Sequence, residues 1–147
     1  KLIAVEELIN MRKLLFCDYS ILRGTQLRNI IHRLFSIGAK EVHMRVACPP
    51  LLYGCPYLNF SRAKSDFDLI SRRVIRELEP DNPNPDIKSY EDPKSEKYQK
   101  MVEVIRKKIG ATTLEFQTLE GLLKAIDLPQ QRICTYCWTG HDPYNQK

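Results

Sequence analysis

The stretch Lys13-Leu14-Leu15-Phe16-Cys17-Asp18-Tyr19-Ser20-Ile21-Leu22-Arg23-Gly24-Thr25-Gln26 carries the information that decides the fold. Its first six residues are an apolar run ending in an acid, the pattern of a central strand buried on both faces of a parallel sheet. Beyond the run, Leu27, Ile30, Ile31, Leu34 and Phe35 recur at helical spacing, with Thr25 near the N-cap and Gly38 where a terminating glycine belongs. Glu41 to Cys48 then alternates Val42, Met44 and Val46 against His43 and Arg45 until Pro49-Pro50 stops it, which predicts a second strand. Strand, loop, helix and strand within about 35 residues make a βαβ unit with parallel strands. The fold class is therefore α/β.

Downstream, Pro49 to Arg62 reads as an irregular loop rich in Pro, Gly, Tyr and Asn. A helix is expected over Ser65 to Leu78, with Phe67, Leu69, Ile70, Val74, Ile75 and Leu78 apolar. Residues 79–96 hold four of the nine prolines and six acids against two lysines, so a surface insertion or mobile loop is expected there. Tyr98, Val102, Ile105 and Ile109 form a further helical stripe ended by Gly110. Thr113 to Phe116 suits a short strand, and Thr118 suits the cap of a helix carrying Leu119, Leu122, Leu123 and Ile126. The tail from Pro129 to Lys147 has no apolar period and must be held by something other than a core stripe.

The composition agrees with one modest domain over residues 1–128, followed by a cysteine-containing tail over 129–147. Hydrophobic residues make up 43% and charged residues 28% of the 147, which excludes general disorder. No apolar run reaches the roughly 20 residues of a membrane helix and nothing resembles a signal peptide, so the cytoplasm is the expected compartment. A net charge of +5 suits an anionic partner without choosing between phosphate metabolites and nucleic acid. The chain begins at Lys1 in an ordered-looking stretch and reads as part of a larger unit.

A strand that ends in Asp18 and leads through Ser20, Arg23, Gly24 and Thr25 into a helix has the makings of an anion cradle. Ligands of open α/β sheets gather at the carboxyl ends of strands, and helix N-termini present unpaired N–H groups to phosphates. Gly24 lets the backbone approach closely, Ser20 and Thr25 add hydroxyls, Arg23 adds charge, and Asp18 can accept from sugar hydroxyls or a hydrated Mg²⁺. The same residue types also occur in ordinary strand-to-helix turns, where Asp18 and Thr25 merely cap and Arg23 is solvated.

Cys17 to Gln26 resembles the 5-phosphoribosyl-1-diphosphate (PRPP) loop of the glutamine PRPP amidotransferases, or amidophosphoribosyltransferases, whose usual form is two acids followed by Ser-Ile-Val-Arg-Gly-Thr. The resemblance extends in order through Gly38-Ala39-Lys40-Glu41-Val42-His43, Pro49-Pro50, Ile109-Gly110-Ala111, Leu119-Glu120-Gly121-Leu122-Leu123-Lys124 and Cys137-Trp138-Thr139-Gly140. It implies a parallel sheet of the type I phosphoribosyltransferase kind, here the C-terminal part of the domain with an irregular tail. The implied reaction is displacement of pyrophosphate from PRPP by glutamine-derived ammonia, giving 5-phosphoribosylamine, the first step of de novo purine synthesis.

The resemblance also implies roles. Arg23, Gly24, Thr25 and Gln26 would hold the 5-phosphate, Tyr19 and Ser20 would also line the PRPP site, Asp18 would bind the ribose hydroxyls and, directly or through water, Mg²⁺, and catalysis would rest on positioning and charge stabilisation. Tyr19 stands where the family has a second carboxylate, which alters the ribose-binding rim. Further implied partners are purine nucleotides as inhibitors, an N-terminal glutaminase half absent from this chain, and further copies of the full-length protein in a homo-oligomer. By the same resemblance the isolated fragment is expected to be inactive.

Five cysteines without a secretory signal argue for thiols or metal ligation over a disulfide framework. The spacing of Cys134 and Cys137 fits two reduced thiols, a redox pair or half a zinc site. The resemblance favours Cys55, Cys134 and Cys137 as three ligands of a [4Fe-4S] cluster whose fourth ligand lies outside this chain, pinning the tail to the loop near Cys55. Cys17 is expected as a buried strand residue and Cys48 as a strand-end residue. His32, His43 and His141 are assigned exposed, packing or turn roles, and Tyr136, Trp138 and Tyr144 are assigned to tail packing. Two other function classes compete: a non-catalytic PRPP or nucleotide-sensing relative, motivated by Tyr19, and a zinc-stabilised nucleic-acid-binding module. The second leaves the anion cradle unexplained, so no nucleic-acid partner is expected.

Overall fold

In the computed structural model, residues 5–58 and 68–144 are described. A short helix α1 (Glu6–Ile9) precedes β1 (Lys13–Asp18), α2 (Thr25–Ser36) and β2 (Glu41–Val46). Then come α3 (Ile70–Leu78), a 3-10 turn at Ile87–Tyr90, α4 (Glu96–Ile109), β3 (Thr113–Phe116), α5 (Leu119–Ile126), a 3-10 turn at Gln130–Arg132 and α6 (Tyr136–Thr139). The three strands form one parallel sheet in the order β1-β2-β3, with Lys13 to Asp18 in register with Glu41 to Val46, and His43 to Val46 with Thr113 to Phe116. Together these elements give a parallel α/β sheet with an irregular C-terminal region.

The alternation at β2 sorts its two faces. Val42, Met44 and Val46 are 0%, 1% and 3% exposed against the helices, while Glu41, His43 and Arg45 point to the other side and are half-buried. The core on the helix side is built by Ile31 and Leu34 of α2, Val74 and Ile75 of α3, and Tyr98, Met101, Ile105 and Ile109 of α4. The helical stripe on α4 therefore runs through Met101 at full burial, with Val102 only partly buried beside it. Ser95 caps the start of α4 by accepting from Tyr98 N–H, and Gly110 ends it at φ 76°, a left-handed conformation that glycine adopts without a Cβ penalty.

Among the described residues β1 pairs with β2 alone, where its apolar run predicts a central strand, and Lys13, Leu15 and Cys17 are exposed, Leu15 at 65%. Only Leu14 and Phe16 face the core. An unbroken apolar run shows that both sides of a strand tolerate burial but does not say what covers the second side, and no described residue buries Leu15 or Cys17. Cys17 is thus exposed where a buried thiol was expected, whereas Cys48 is buried at the end of the strand region.

The helix expected from Ser65 is described from Ile70, since residues 59–67 lie outside the described residues. Within residues 79–96 most positions are exposed, yet Tyr90 is 1% exposed and its hydroxyl donates to Glu79 at 2.8 Å. Thr118 caps α5 by accepting from Gly121 N–H at 3.0 Å, but none of the apolar residues of α5 is fully buried; Leu122 alone packs against the core cluster.

The tail is held by backbone bonds and rings. Leu52 N–H and Tyr53 N–H both donate to the Cys137 carbonyl, at 2.9 and 3.1 Å. Tyr53 packs on Tyr136 with centroids 6.2 Å apart, Tyr57 meets Tyr144 edge-on at 5.5 Å, and the Tyr57 hydroxyl donates to Asp142 at 2.9 Å. Gly140, at φ 69°, sits so close to Tyr53 that an added Cβ would lie 2.9 Å from its ring.

Candidate phosphate-binding loop

The chain between β1 and α2 is shaped from beneath before any ligand is considered. Ile21 is 4% exposed and anchors the middle of the loop in the core. The Leu22 carbonyl accepts from Ile70 N–H at 2.8 Å, tying the loop to the start of α3, and the Asp18 carbonyl accepts from Ala47 N–H at 2.8 Å just beyond β2. Gly24 is the N-cap of α2 at φ 75°, and a Cβ there would meet Ile70 Cδ1 at 2.5 Å. The position therefore needs glycine twice, for its backbone conformation and for the close approach of Ile70.

Thr25, expected near the N-cap, is the first residue of the helix, and no side chain caps it. Arg28 N–H bonds back to the Gly24 carbonyl at 2.9 Å, so the N–H groups of Thr25, Gln26 and Leu27 precede the helical ladder and are the donors a helix leaves for a ligand. The first turn of α2 holds no acid, so its positive end is not neutralised from within the helix. A cavity of about 710 Å³ is lined by the continuous segment from Asp18 to Leu27. All seven residues expected to bind PRPP, Asp18, Tyr19, Ser20, Arg23, Gly24, Thr25 and Gln26, line it.

Their side chains differ in freedom. Asp18 is half-buried and one of its carboxylate oxygens accepts from Tyr19 N–H at 2.8 Å, which leaves the other for a ligand hydroxyl. Tyr19 is 75% exposed. Arg23 reaches Asp68 at 3.6 Å with more than half of its side chain in solvent, and its carbonyl accepts from the Arg73 guanidinium at 2.6 Å. Asp18 also borders a second cavity, of about 330 Å³, at the carboxyl ends of the strands, where Arg45, Glu115 and Gln117 contribute. That strand-end rim was not singled out from sequence, and its signal was only the position of Arg45 one residue before the end of a predicted strand.

The cysteine expectation is corrected. Among the described residues no three His, Cys, Asp or Glu side chains converge on a point that could hold a metal ion, so Cys55, Cys134 and Cys137 do not form a [4Fe-4S] ligand set. Among the described residues Asp18 belongs to no such group of three either. Cys55 is buried and lies next to Cys137, while Cys134 is exposed. Burial, then the neighbouring Cys55, pushes the Cys137 thiol up to about 12, which keeps it protonated at neutral pH. Burial likewise raises Cys48, to about 11, and Trp138 Nε1 is buried beside this thiol with no hydrogen-bond partner among the described residues.

The histidines take the roles expected of them. His32 is exposed on α2, and His43 bridges Glu41 and Thr113 at 2.8 and 2.9 Å on the open face of the sheet. No helix among the described residues is long and apolar enough to cross a membrane.

No family model matches the chain. Over 144 residues it is 33% identical to the amidophosphoribosyltransferase of Mycobacterium tuberculosis (strain H37Rv), a match covering 97% of this chain and 23% of that protein. It is 31% identical to the amidophosphoribosyltransferase of Methanocaldococcus jannaschii, over 97% of this chain and 24% of the relative. Among solved structures, the "structure of the allosteric regulatory enzyme of purine biosynthesis" matches with a TM-score of 0.68 and 29% identity over 95% of this chain and 25% of that one. The glutamine PRPP amidotransferase of Bacillus subtilis, complexed with ADP and GMP, matches with a TM-score of 0.65 and 28% identity over 95% of this chain and 26% of that one. The chain spans about a quarter of the length of the relatives it matches.

Proposed function

Because the chain is a partial match to the C-terminal phosphoribosyltransferase domain of the amidophosphoribosyltransferase family, we propose that it supplies the PRPP-binding part of such an enzyme. The single observation that carries this reading is the loop from Asp18 to Gln26, a cradle at the end of a parallel strand with a left-handed glycine and the free N-terminus of α2. In the proposed reaction the nitrogen lone pair of ammonia attacks the sugar carbon that bears pyrophosphate. The C–O bond breaks with inversion, pyrophosphate departs with the electron pair, and the new amine loses a proton to solvent. Such a displacement asks the protein mainly to position the reactants and stabilise charge.

In this reading the N–H groups of Thr25 and Gln26 and the hydroxyls of Ser20 and Thr25 hold the 5-phosphate, with Arg23 adding charge from the exposed side. Asp18 accepts from a ribose hydroxyl. Glutamine-derived ammonia from an N-terminal glutaminase half, control by purine nucleotides and assembly into a homo-oligomer belong to the proposal for the whole protein. No metal enters it.

Tyr19 supports a second reading, a relative that binds PRPP or a nucleotide without turning it over. A phenol is neutral near pH 7, so replacing a carboxylate removes one charge-assisted contact to the ribose, about 1 to 3 kcal/mol of interaction. The two readings separate in one experiment on the intact protein: pyrophosphate release from PRPP and ammonia, before and after Tyr19→Asp. Turnover that rises in the variant supports the enzyme reading with a weakened rim. Binding of PRPP with no pyrophosphate release from either protein supports the sensing reading, and absence of PRPP binding in both would sink both.

A further inference from the structure

A second groove adjoins the loop. Gly24 packs against Ile70 and Ile109, and these two side chains help line a groove of about 290 Å³ that shares Arg23, Gly24 and Thr25 with the cavity lined by Asp18. Three helices supply its charged lining: Arg28 from α2, Arg73 from α3 and Lys108 from α4, with Arg23 at the loop edge. Glu77 is the one carboxylate among these lining residues. The groove runs on into a cavity of about 400 Å³ between α2 and α4, which shares Arg28 and Lys108 and adds His32 and Lys107.

We propose that this groove is a second oxyanion site, in which Arg28, Arg73 and Lys108 take the phosphate group of a small phosphate-bearing molecule. Several cations facing one space repel each other unless an anion joins them, and the internal compensation here is incomplete. Lys108 pairs with Glu77 at 2.9 Å and Lys107 reaches Glu103 at 3.6 Å. Arg73 spends one N–H on the Arg23 carbonyl at 2.6 Å, which fixes the guanidinium and leaves further donors of its fork for a ligand. The Arg28 side chain makes no hydrogen bond or ion pair among the described residues.

The apolar floor of Ile70 and Ile109 and the carboxylate of Glu77 suit a compact anion better than the continuous backbone of a nucleic acid. The proposed anion contacts, Arg28, Arg73 and Lys108, lie outside the loop cavity, but the groove shares Arg23, Gly24 and Thr25 with it and adjoins the loop backbone through the Arg73 to Arg23 contact.

The experiment titrates the intact protein with inorganic phosphate and, separately, with pyrophosphate, by calorimetry. Ser20 lines the loop cavity and not the groove, so Ser20→Glu should remove one binding event and leave another. Arg28→Ala with Lys108→Ala should weaken the remaining event by ~tenfold or more, with the melting temperature unchanged, and the combination should lose both. Arg28→Lys should retain affinity to within ~threefold, since a charge is kept and only the fork is lost. Should the double alanine variant melt early, Arg28→Glu alone, at an exposed position without a partner among the described residues, carries the same expectation. The proposal is overturned if Ser20→Glu abolishes every event, if the folded groove variants titrate like wild type, or if only a nucleic-acid duplex binds the groove.

Discussion

The loop from Asp18 to Gln26 and the tail from Pro129 to Tyr144 both carry a short motif with an implied ligand, and the two are built in different ways. The loop's ligand-facing atoms are mostly backbone N–H groups whose directions follow from a strand end, a left-handed glycine and a helix start. Such a site is formed by nine consecutive residues, held from beneath by Ala47 and Ile70. The tail's implied ligands are three thiols from two separate segments, and their convergence depends on how one segment docks on the other. Docking is achieved instead by the Cys137 carbonyl, the Tyr53, Tyr57, Tyr136 and Tyr144 rings and the close fit of Gly140, and it leaves Cys134 outside.

The sharpest way to break this comparison is Gly24→Ala. An alanine at φ 75° with its Cβ driven into Ile70 should cost about 2 to 4 kcal/mol of stability and lower PRPP affinity by more than ~100-fold. Chemical denaturation and PRPP titration check both numbers, and wild-type binding in the variant would end the cradle model. Gly140→Ala is its counterpart in the tail. At φ 69° and 2.9 Å from the Tyr53 ring it should cost about 1 to 2 kcal/mol and free the tail for limited proteolysis, while PRPP binding stays as in wild type.

Alkaline pH should separate the two regions further. The hydrogen bond to Asp142 and then burial push the Tyr57 hydroxyl up to about 12, and burial followed by the bond to Glu91 does the same for Tyr53. Both folded values lie above the ordinary 10, so the protonated form is the stabilising one. Their contribution is intact below pH 10 and is lost as the pH rises through about 12. Proteolytic release of the tail should therefore accelerate across that window, and Tyr57→Phe should already show faster release at neutral pH, with a weaker further rise on alkalinisation. The smallest expected effect is Cys134→Ser. With its side chain exposed and no ligand set to complete, the change should move stability by less than about 0.5 kcal/mol and leave PRPP binding alone. A large loss in thermal unfolding would reopen the question of what the tail cysteines hold.

Much of the architecture was legible from the chain, for identifiable reasons. Glu41 to Val46 alternates cleanly, because one face of β2 is core and the other carries the Glu41, His43 and Arg45 polar row. Gly110 and Thr118 mark a helix end and a helix start through local chemistry that needs no distant partner. The stripe on α5 misled, because leucines at helical spacing show which side prefers burial and not whether a neighbour supplies it; all of them remain at least partly accessible. The groove beside the loop escaped notice because Arg28, Arg73 and Lys108 are ordinary surface charges in their own helices and share a lining only after three helices pack.

What the sequence determined alone is therefore the set of features closed within a few neighbouring residues: the βαβ order, the caps, and a loop whose backbone is bent into an anion cradle by its own glycine. Tertiary structure decided the rest, namely which strands pair, which thiols meet, and which cations face one another. These depend on contacts between residues far apart in the chain. A residue's type sets what it can do in such a contact, but only packing sets whether the partner is there.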